Sequence, residues 1–549
     1  MEDNSKQPLL VHEEEDQISD LISVPRYSFQ RLSNLSFFSS FVADEDDIAP
    51  IESFGGFMSA FKEESGKLWY LAGPAIFSSV AQYALGAMTQ TFAGHVGTLE
   101  LAAFSIENSV IAGLSLGVML GMGSAVETLC GQAFGAGQLD MLGVYLQRSW
   151  IILLATAFIM MFLYIFALPF LLLIGQAPSI SRTAGKFAIW MIPQLFAYAL
   201  NFPTAKFLQS QSKILAMAVI SAVALVFHVL FSWLLMLKLG WGMAAGAAVL
   251  DASWWFIVIA QVIYILSGTC GKAWPGFTLK SFQNLWGFVR LSLASAVMLC
   301  LETWYFMALA LFAGYLKDAE VAVAALSVCL EVWYFTALIL FAGYLKNAEV
   351  AVDALSICVN ISGWISMIAL GFNAAISVRV SNELGAGHPR AAKFSVLVVV
   401  VSSFLMALLV AILILIFQKQ YPFLFSDNLE VIEVVYDLTP LLAFCIVLNN
   451  VQPALSGVAI GAGWQSLVAY VNIACYYLFG IPVGLLMGYK LKWGVQGIWC
   501  GMVLGTVVQT LILFWIVYRT NWNKEASAAA KRIRRWGGES RGKGNDLEK

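Results

Sequence analysis

Cys300–Val328 reads CLETWYFMALALFAGYLKDAEVAVAALSV, and Cys329–Ile357 follows it at once with CLEVWYFTALILFAGYLKNAEVAVDALSI. Of the 29 aligned positions, 23 are identical. Each copy holds an apolar run suited to a membrane helix of about 20 residues, so one such helix and its connecting loop have been laid down twice. The copied carboxylate is Glu302 in the first unit and Glu331 in the second. An acid in such a run is costly to keep ionised in lipid and marks an ion or substrate path by default.

The rest of the chain has the same character. Hydrophobic residues make up 60% of the 549 positions and charged residues 12%, too apolar for a protein in water and suited to repeated crossing of a bilayer. Apolar runs recur between residues 68 and 518, thirteen in all, and two of them, Leu291–Leu316 and Val321–Leu345, fall in the repeat. They are continuously apolar rather than alternating, which makes them helices and not barrel strands.

Basic residues decide the parity of the crossings. Arg148, Lys206, Lys213, Lys272 and Lys280 fall near turns that share a side, and Arg379, Arg390, Lys393 and the KRIRR run Lys531–Arg535 should join them in the cytosol. Twelve spans satisfy this pattern and thirteen do not. A longer repeat agrees: GQAFGAGQ at Gly131–Gln138 is echoed by SNELGAGH at Ser381–His388, with Gly135 and Gly385 separated by 250 positions, as are Pro203 and Pro453. Upstream, Ala93-Gly94 matches either Ala313-Gly314 or Ala342-Gly343, so the change of offset falls inside the tandem copy.

The expected fold class is an all-α polytopic membrane protein of two six-helix lobes related as a parallel repeat, with a surplus 29-residue unit near helix seven. Its parts are an acidic disordered cytosolic tail over 1–66, an N-lobe over 67–270, a linker over 271–290, a C-lobe over 291–518 containing the duplicated segment 300–357, and a basic cytosolic tail over 519–549. One copy is expected in the helix-seven position and the other as a non-spanning helix; sequence leaves open which.

The tail over 1–66 carries 14 acids and 4 bases, leaving a net +7 on the remainder, and it lacks the pattern of a cleavable signal. Its composition predicts a solvated segment whose removal leaves the membrane body intact. The eight cysteines sit mostly in apolar runs without CxxC spacing and read as core residues. The four histidines form no ligand motif, and no nucleophile motif is present, so neither a metal site, a cofactor nor an enzyme is expected. Lys531–Arg535 suits the anionic surface of the inner leaflet rather than nucleic acid.

Several phrases together carry a resemblance: LGMGSAVETLCGQAFGAGQ, SVRVSNELGAGHPRAAKFS, LSGVAIGAGWQSLVAYVNIACYYLFGIPVG and YRTNWNKE. From about Lys67 to Trp536 the chain resembles plant members of the multidrug and toxic compound extrusion (MATE) family, of DETOXIFICATION type. The resemblance implies two lobes around a central cavity, alternating access, and export of small organic solutes against an entering cation. It also places a proton-binding Glu in the CLE-W-Y motif of helix seven, which here is Glu302 or Glu331.

Other positions depart from that pattern. Where several relatives place an Asp on helix ten, this chain has Asn449, an amide that hydrogen-bonds but takes up no proton. The first helix contains no acid between Leu68 and Gly94, and Thr89 stands roughly where bacterial relatives carry Asp. Asp251, beside Trp254 and Trp255, occupies a place where relatives often have Asn; a paired, interface-facing acid is its plainer reading, and Glu107 and Glu127 read similarly. Possible substrate or cation contacts are Asn449, Asn450, Gln452, Asp251, Tyr305, Tyr334 and Gln82. Tyr476 and Tyr477 could line a pocket or anchor at the interface. Pro203 and Pro453 read either as helix breaks that free carbonyls near the cavity or as packing kinks.

The expected function is proton-coupled antiport of small organic solutes out of the cytosol by a monomer, with the vacuolar membrane favoured over the plasma membrane. An anion channel or uniporter on the same fold is the alternative, supported by the missing acids at Thr89 and Asn449.

Overall fold

A computed structural model describes residues 46–173, 178–314, 348–424, 429–491 and 495–536, and these are helical almost throughout, with no strand among them. In lipid every backbone amide must find its partner within the segment, and continuous apolar sequence leaves the helix as the solution. The first half comprises α1 (Phe54–Val96), α2 (Thr98–Ile106, then a π turn at Glu107–Ala112 and Gly113–Gly135) and α3 (Asp140–Ile165). There follow α4 (Ala167–Leu173), α5 (Pro178–Trp190), α6 (Ile192–Ser210), α7 (Ile214–Ser232) and α8 (Gly242–Tyr264). The second half has α9 (Leu285–Gly314), α10 (Ala348–Ala386), α11 (Pro389–Ile416) and α12 (Leu429–Ala462). It ends with α13 (Gln465–Asn472, prolonged by further turns to Lys490), α14 (Val495–Arg519) and α15 (Trp522–Trp536).

Among the described residues eight helices are long and apolar enough to cross a membrane, and Leu285–Leu301 and Leu504–Arg519 add shorter apolar stretches. The most apolar span lies outermost. Pro389–Ile416 has a mean hydropathy of 3.1 and is 28% buried, whereas Leu442–Ala462 has 1.5 and is 69% buried, because lipid tails solvate a Leu-rich surface as well as a protein core does.

The halves pack alike. In the first, α1 lies on α7, α2 and α3 on α6, and α7 on α8; in the second, α9 lies on α13, α10 and α11 on α12, and α13 on α14. Between them α10 packs on α1 and α2, and α9 on α2. Helix α1 serves both halves. Leu85 and Ala93 lie in the core of the first, while Leu68, Leu71, Ala72 and Ala75 lie in a core with Phe372, Val396 and Val458 of the second.

The extent of the N-terminal tail is corrected. The body begins before Lys67, since α1 starts at Phe54 with the Ser53 hydroxyl accepting from the Gly56 amide, and Phe57 meets Phe394 edge-on. Asp47 accepts from the Arg390 and Ala391 amides at the start of α11, so the segment ahead of residue 60 is partly joined to the body. At the other end of the chain α15 buries Trp522, Ala529, Ile533 and Trp536 along one face. Of the two readings open for Pro203 and Pro453, both lie inside continuous helices rather than at breaks, and Asn373 donates to the Pro453 carbonyl at 2.7 Å.

Within the tandem copy, α9 runs unbroken from Leu285 into the first unit, and α10 begins at Ala348 in the second. Residues 315–347, which include the whole of Val321–Leu345, lie outside the described residues.

Candidate functional site

Glu302 lies on α9, and the carbonyls around it are held from the neighbouring helix. Asn472 donates to the Met298 carbonyl at 3.0 Å, Tyr477 to the Leu301 carbonyl at 3.0 Å, and Gln509 of α14 to the Asn472 side-chain oxygen at 3.2 Å. Side-chain carbonyl grips of this kind fix the rotation of a helix without covalent constraint. The side chains of Glu302 and Tyr305, and the whole of Glu331 and Tyr334, lie outside the described residues.

On α12 the amides predicted as contacts turn mainly to their own helix. Asn450 donates to Ile446 at 2.8 Å and Gln452 to Ser456 at 3.2 Å, while Asn449 is half-buried. In the first half, Gln82 reaches Ser221 at 3.4 Å. A buried chain runs from Thr89 to His228 at 3.0 Å and from His228 to Ser253 at 2.9 Å, tying α1, α7 and α8 together where no acid stands. Asp251 and Glu107 form a second polar region, both within electrostatic reach of Tyr164 and Tyr198, with Tyr164 hydrogen-bonded to Ser115 at 2.8 Å. The π turn of α2 places Glu107 inside the body, 2% exposed, rather than near a helix end.

The strongest interactions lie at the basic end, where sequence reasoning had placed only turns. Arg379 of α10 donates to both oxygens of Glu64 on α1, at 2.9 and 3.0 Å, and pairs with Glu383 at 2.7 Å. Ser395 of α11 also donates to Glu64, at 2.6 Å, and His388 meets Glu383 at 3.0 Å. All four charged or titratable groups are at least 94% buried. The i,i+4 spacing of Arg379 and Glu383 is a readable signal; Glu64 had been assigned to the solvated tail.

Beside this cluster the halves meet directly. Thr128 donates to the Ile460 carbonyl at 2.6 Å, Gln132 to Gly461 at 3.0 Å, Gln465 to Thr128 at 2.7 Å, and Asn382 to the Ser210 carbonyl at 3.2 Å. Gly131, Gly135 and Gly385 make this approach feasible, because an added Cβ would collide with Ser381, Asn382 and Gln132 respectively. Arg532 of α15 completes the seam by donating to Gln132 at 2.7 Å. Burial lowers the Arg532 pKa from its usual value and Glu525 opposes this, but a guanidinium keeps its charge.

The two helical halves thus meet along a close-packed polar seam. The MatE family model matches residues 74–234 and again 324–486, once in each half. The chain belongs to the MatE family. Among curated MatE relatives of Arabidopsis thaliana it is 64% identical to Protein DETOXIFICATION 29 over 494 residues, covering 90% of this chain and 93% of that protein. Protein DETOXIFICATION 31 is 58% identical over 537 residues, 97% of each chain. The crystal structure of the eukaryotic MATE transporter AtDTX14 superposes with a TM-score of 0.75 at 34% identity, over 86% of this chain and 99% of that one. Vibrio cholerae VcmN in the bent form shares the fold, with a TM-score of 0.65 at 14% identity, over 87% and 99%.

The second MatE match begins at residue 324 and so takes in the second copy, whereas α9 is built on the first. The copies are too alike for sequence matching to choose. Covalent continuity favours α9 as observed, since Leu285–Leu299 leads without interruption into Cys300 and only Glu302 is carried on that helix.

The protein is a multi-pass membrane transporter and not an enzyme, as its MatE relatives indicate.

Proposed function

We propose that this MatE protein exports small organic solutes from the cytosol by antiport with protons, and that Glu302 is the proton carrier. The observation that supports this most directly is the position of Glu302 on α9, one residue past the Leu301 carbonyl gripped by Tyr477 and one turn past the Met298 carbonyl gripped by Asn472. A carboxyl carried on a helix that its neighbour grips changes environment as the halves rock, which is what proton coupling requires. The basic end, cytosolic by the charge bias, is the closed side of the present conformation. Residence in the vacuolar membrane as a monomer, in contact with membrane lipid, completes the reading.

The test is solute flux in proteoliposomes with and without a pH gradient. Glu302→Gln should abolish gradient-driven flux and Glu331→Gln should leave most of it. Full activity in both single variants and in the double variant removes the carboxylate from the mechanism. Flux that follows membrane voltage and ignores the pH gradient would instead establish the channel or uniporter alternative.

A further inference from the structure

Helix α15 bridges the two halves at the basic end. Its Glu525 accepts from the indole of Trp464, on the turn between α12 and α13, at 2.9 Å, and its Trp522 lies against Trp464 with ring centroids 5.9 Å apart. Trp536, at the other end, meets Phe288 of α9 edge-on and joins the buried core of the first half. Between these anchors the Arg532 guanidinium lies over Gly463, where a Cβ would come within 2.6 Å of its central carbon, and donates to Gln132 of α2. Gln132 in turn donates to the Gly461 carbonyl of α12. One glutamine from the first half is therefore held on both sides by the second half and its tail helix. Lys531, Arg534 and Arg535 face outward and take no part in this contact.

We propose that α15 is a clamp that keeps the cytosolic side shut, with Arg532 as its latch. When the halves separate at this end, the Gln132–Gly461 and Gln132–Arg532 bonds must break together, because Gly461 and Gly463, over which Arg532 lies, sit side by side at the end of α12 in the second half. The latch is charge-assisted and lies beside glycines that leave no slack, so it weights the closed state more than a neutral surface contact would. A helix that merely covered the body would need no polar contact with the opposite half. The proposal rests on the alternating-access reading, and the experiment separates the two.

Ser381 is fully buried at the seam against Gly131, which makes Ser381→Cys a reporter of opening. Maleimide labelling of S381C above the parent level, from the cytosolic face of proteoliposomes containing the full chain, is measured under both directions of the pH gradient. Adding Arg532→Ala should raise labelling roughly tenfold, the weight of one charge-assisted hydrogen bond. Arg532→Lys should raise it less, and a chain ending at Thr520 should match or exceed R532A. Labelling that changes with the gradient but is the same with and without Arg532→Ala overturns the clamp and leaves alternating access standing. A reporter that stays unlabelled in every background and gradient overturns alternating access at this seam and the clamp with it.

Discussion

The two halves pack their helices alike and place their buried charges differently. In the first half Glu127 of α2 pairs with Lys206 of α6 at 2.9 Å, within one lobe. Positions 250 residues later hold Ser377 and Ser456, which cannot form that pair. In the second half Arg379 and Glu383 form the core of a cluster whose third member, Glu64, comes from α1, while the matching positions of the first half are Leu129 and Ala133. A repeat thus fixes the scaffold but not the electrostatics. The Glu127–Lys206 pair should travel as a unit during transport. The Arg379 cluster links α10 and α11 to α1, the helix whose two ends lie in different cores.

Arg379→Ala is the most damaging way to break that contrast. It leaves Glu64 and Glu383 facing each other away from water, and should cost about 3–5 kcal/mol, seen as a lower unfolding midpoint in detergent and as increased labelling of S381C. A variant as stable as the parent would show that the cluster is dispensable. Glu127→Gln should be milder, since Lys206 is 14% exposed and can turn toward solvent; a loss of roughly 1–3 kcal/mol is expected, with S381C labelling unchanged. Increased labelling in Glu127→Gln would mean that the pair inside one lobe also governs the seam. The smallest effect belongs to Asp47→Ala, which removes an acceptor from two amides at the start of α11. It should lower stability by about 1 kcal/mol and leave flux unaffected. Wild-type stability there would return the segment ahead of α1 to the role of a free tail.

Much of the fold was legible in advance because membrane crossing is a local property. Runs of apolar residues identify the helices, basic residues order the turns, and GAGQ and GAGH mark where helices end, with Gly137 and Gly387 at φ of +72° and +82°. The candidate site was less legible. Asp251 and Glu107 were visible as intramembrane acids, but not that both lie near Tyr164 and Tyr198, which come from other helices. Asn472 drew no attention because its role depends on which carbonyls of α9 face it. The π turn at Glu107–Ala112 has no signature in composition, and it changes which way the acid points.

The sequence by itself determined an all-helical membrane protein, because hydropathy is a property of short stretches, and its motifs carried the resemblance to the transporter family to which it belongs. Tertiary structure decided which half each end of α1 joins and which acids are matched by bases. The Glu64–Arg379 bond spans 315 residues, and Arg532–Gln132 spans 400. Contacts at such separations depend on how two packed halves sit against each other, and no local pattern encodes that.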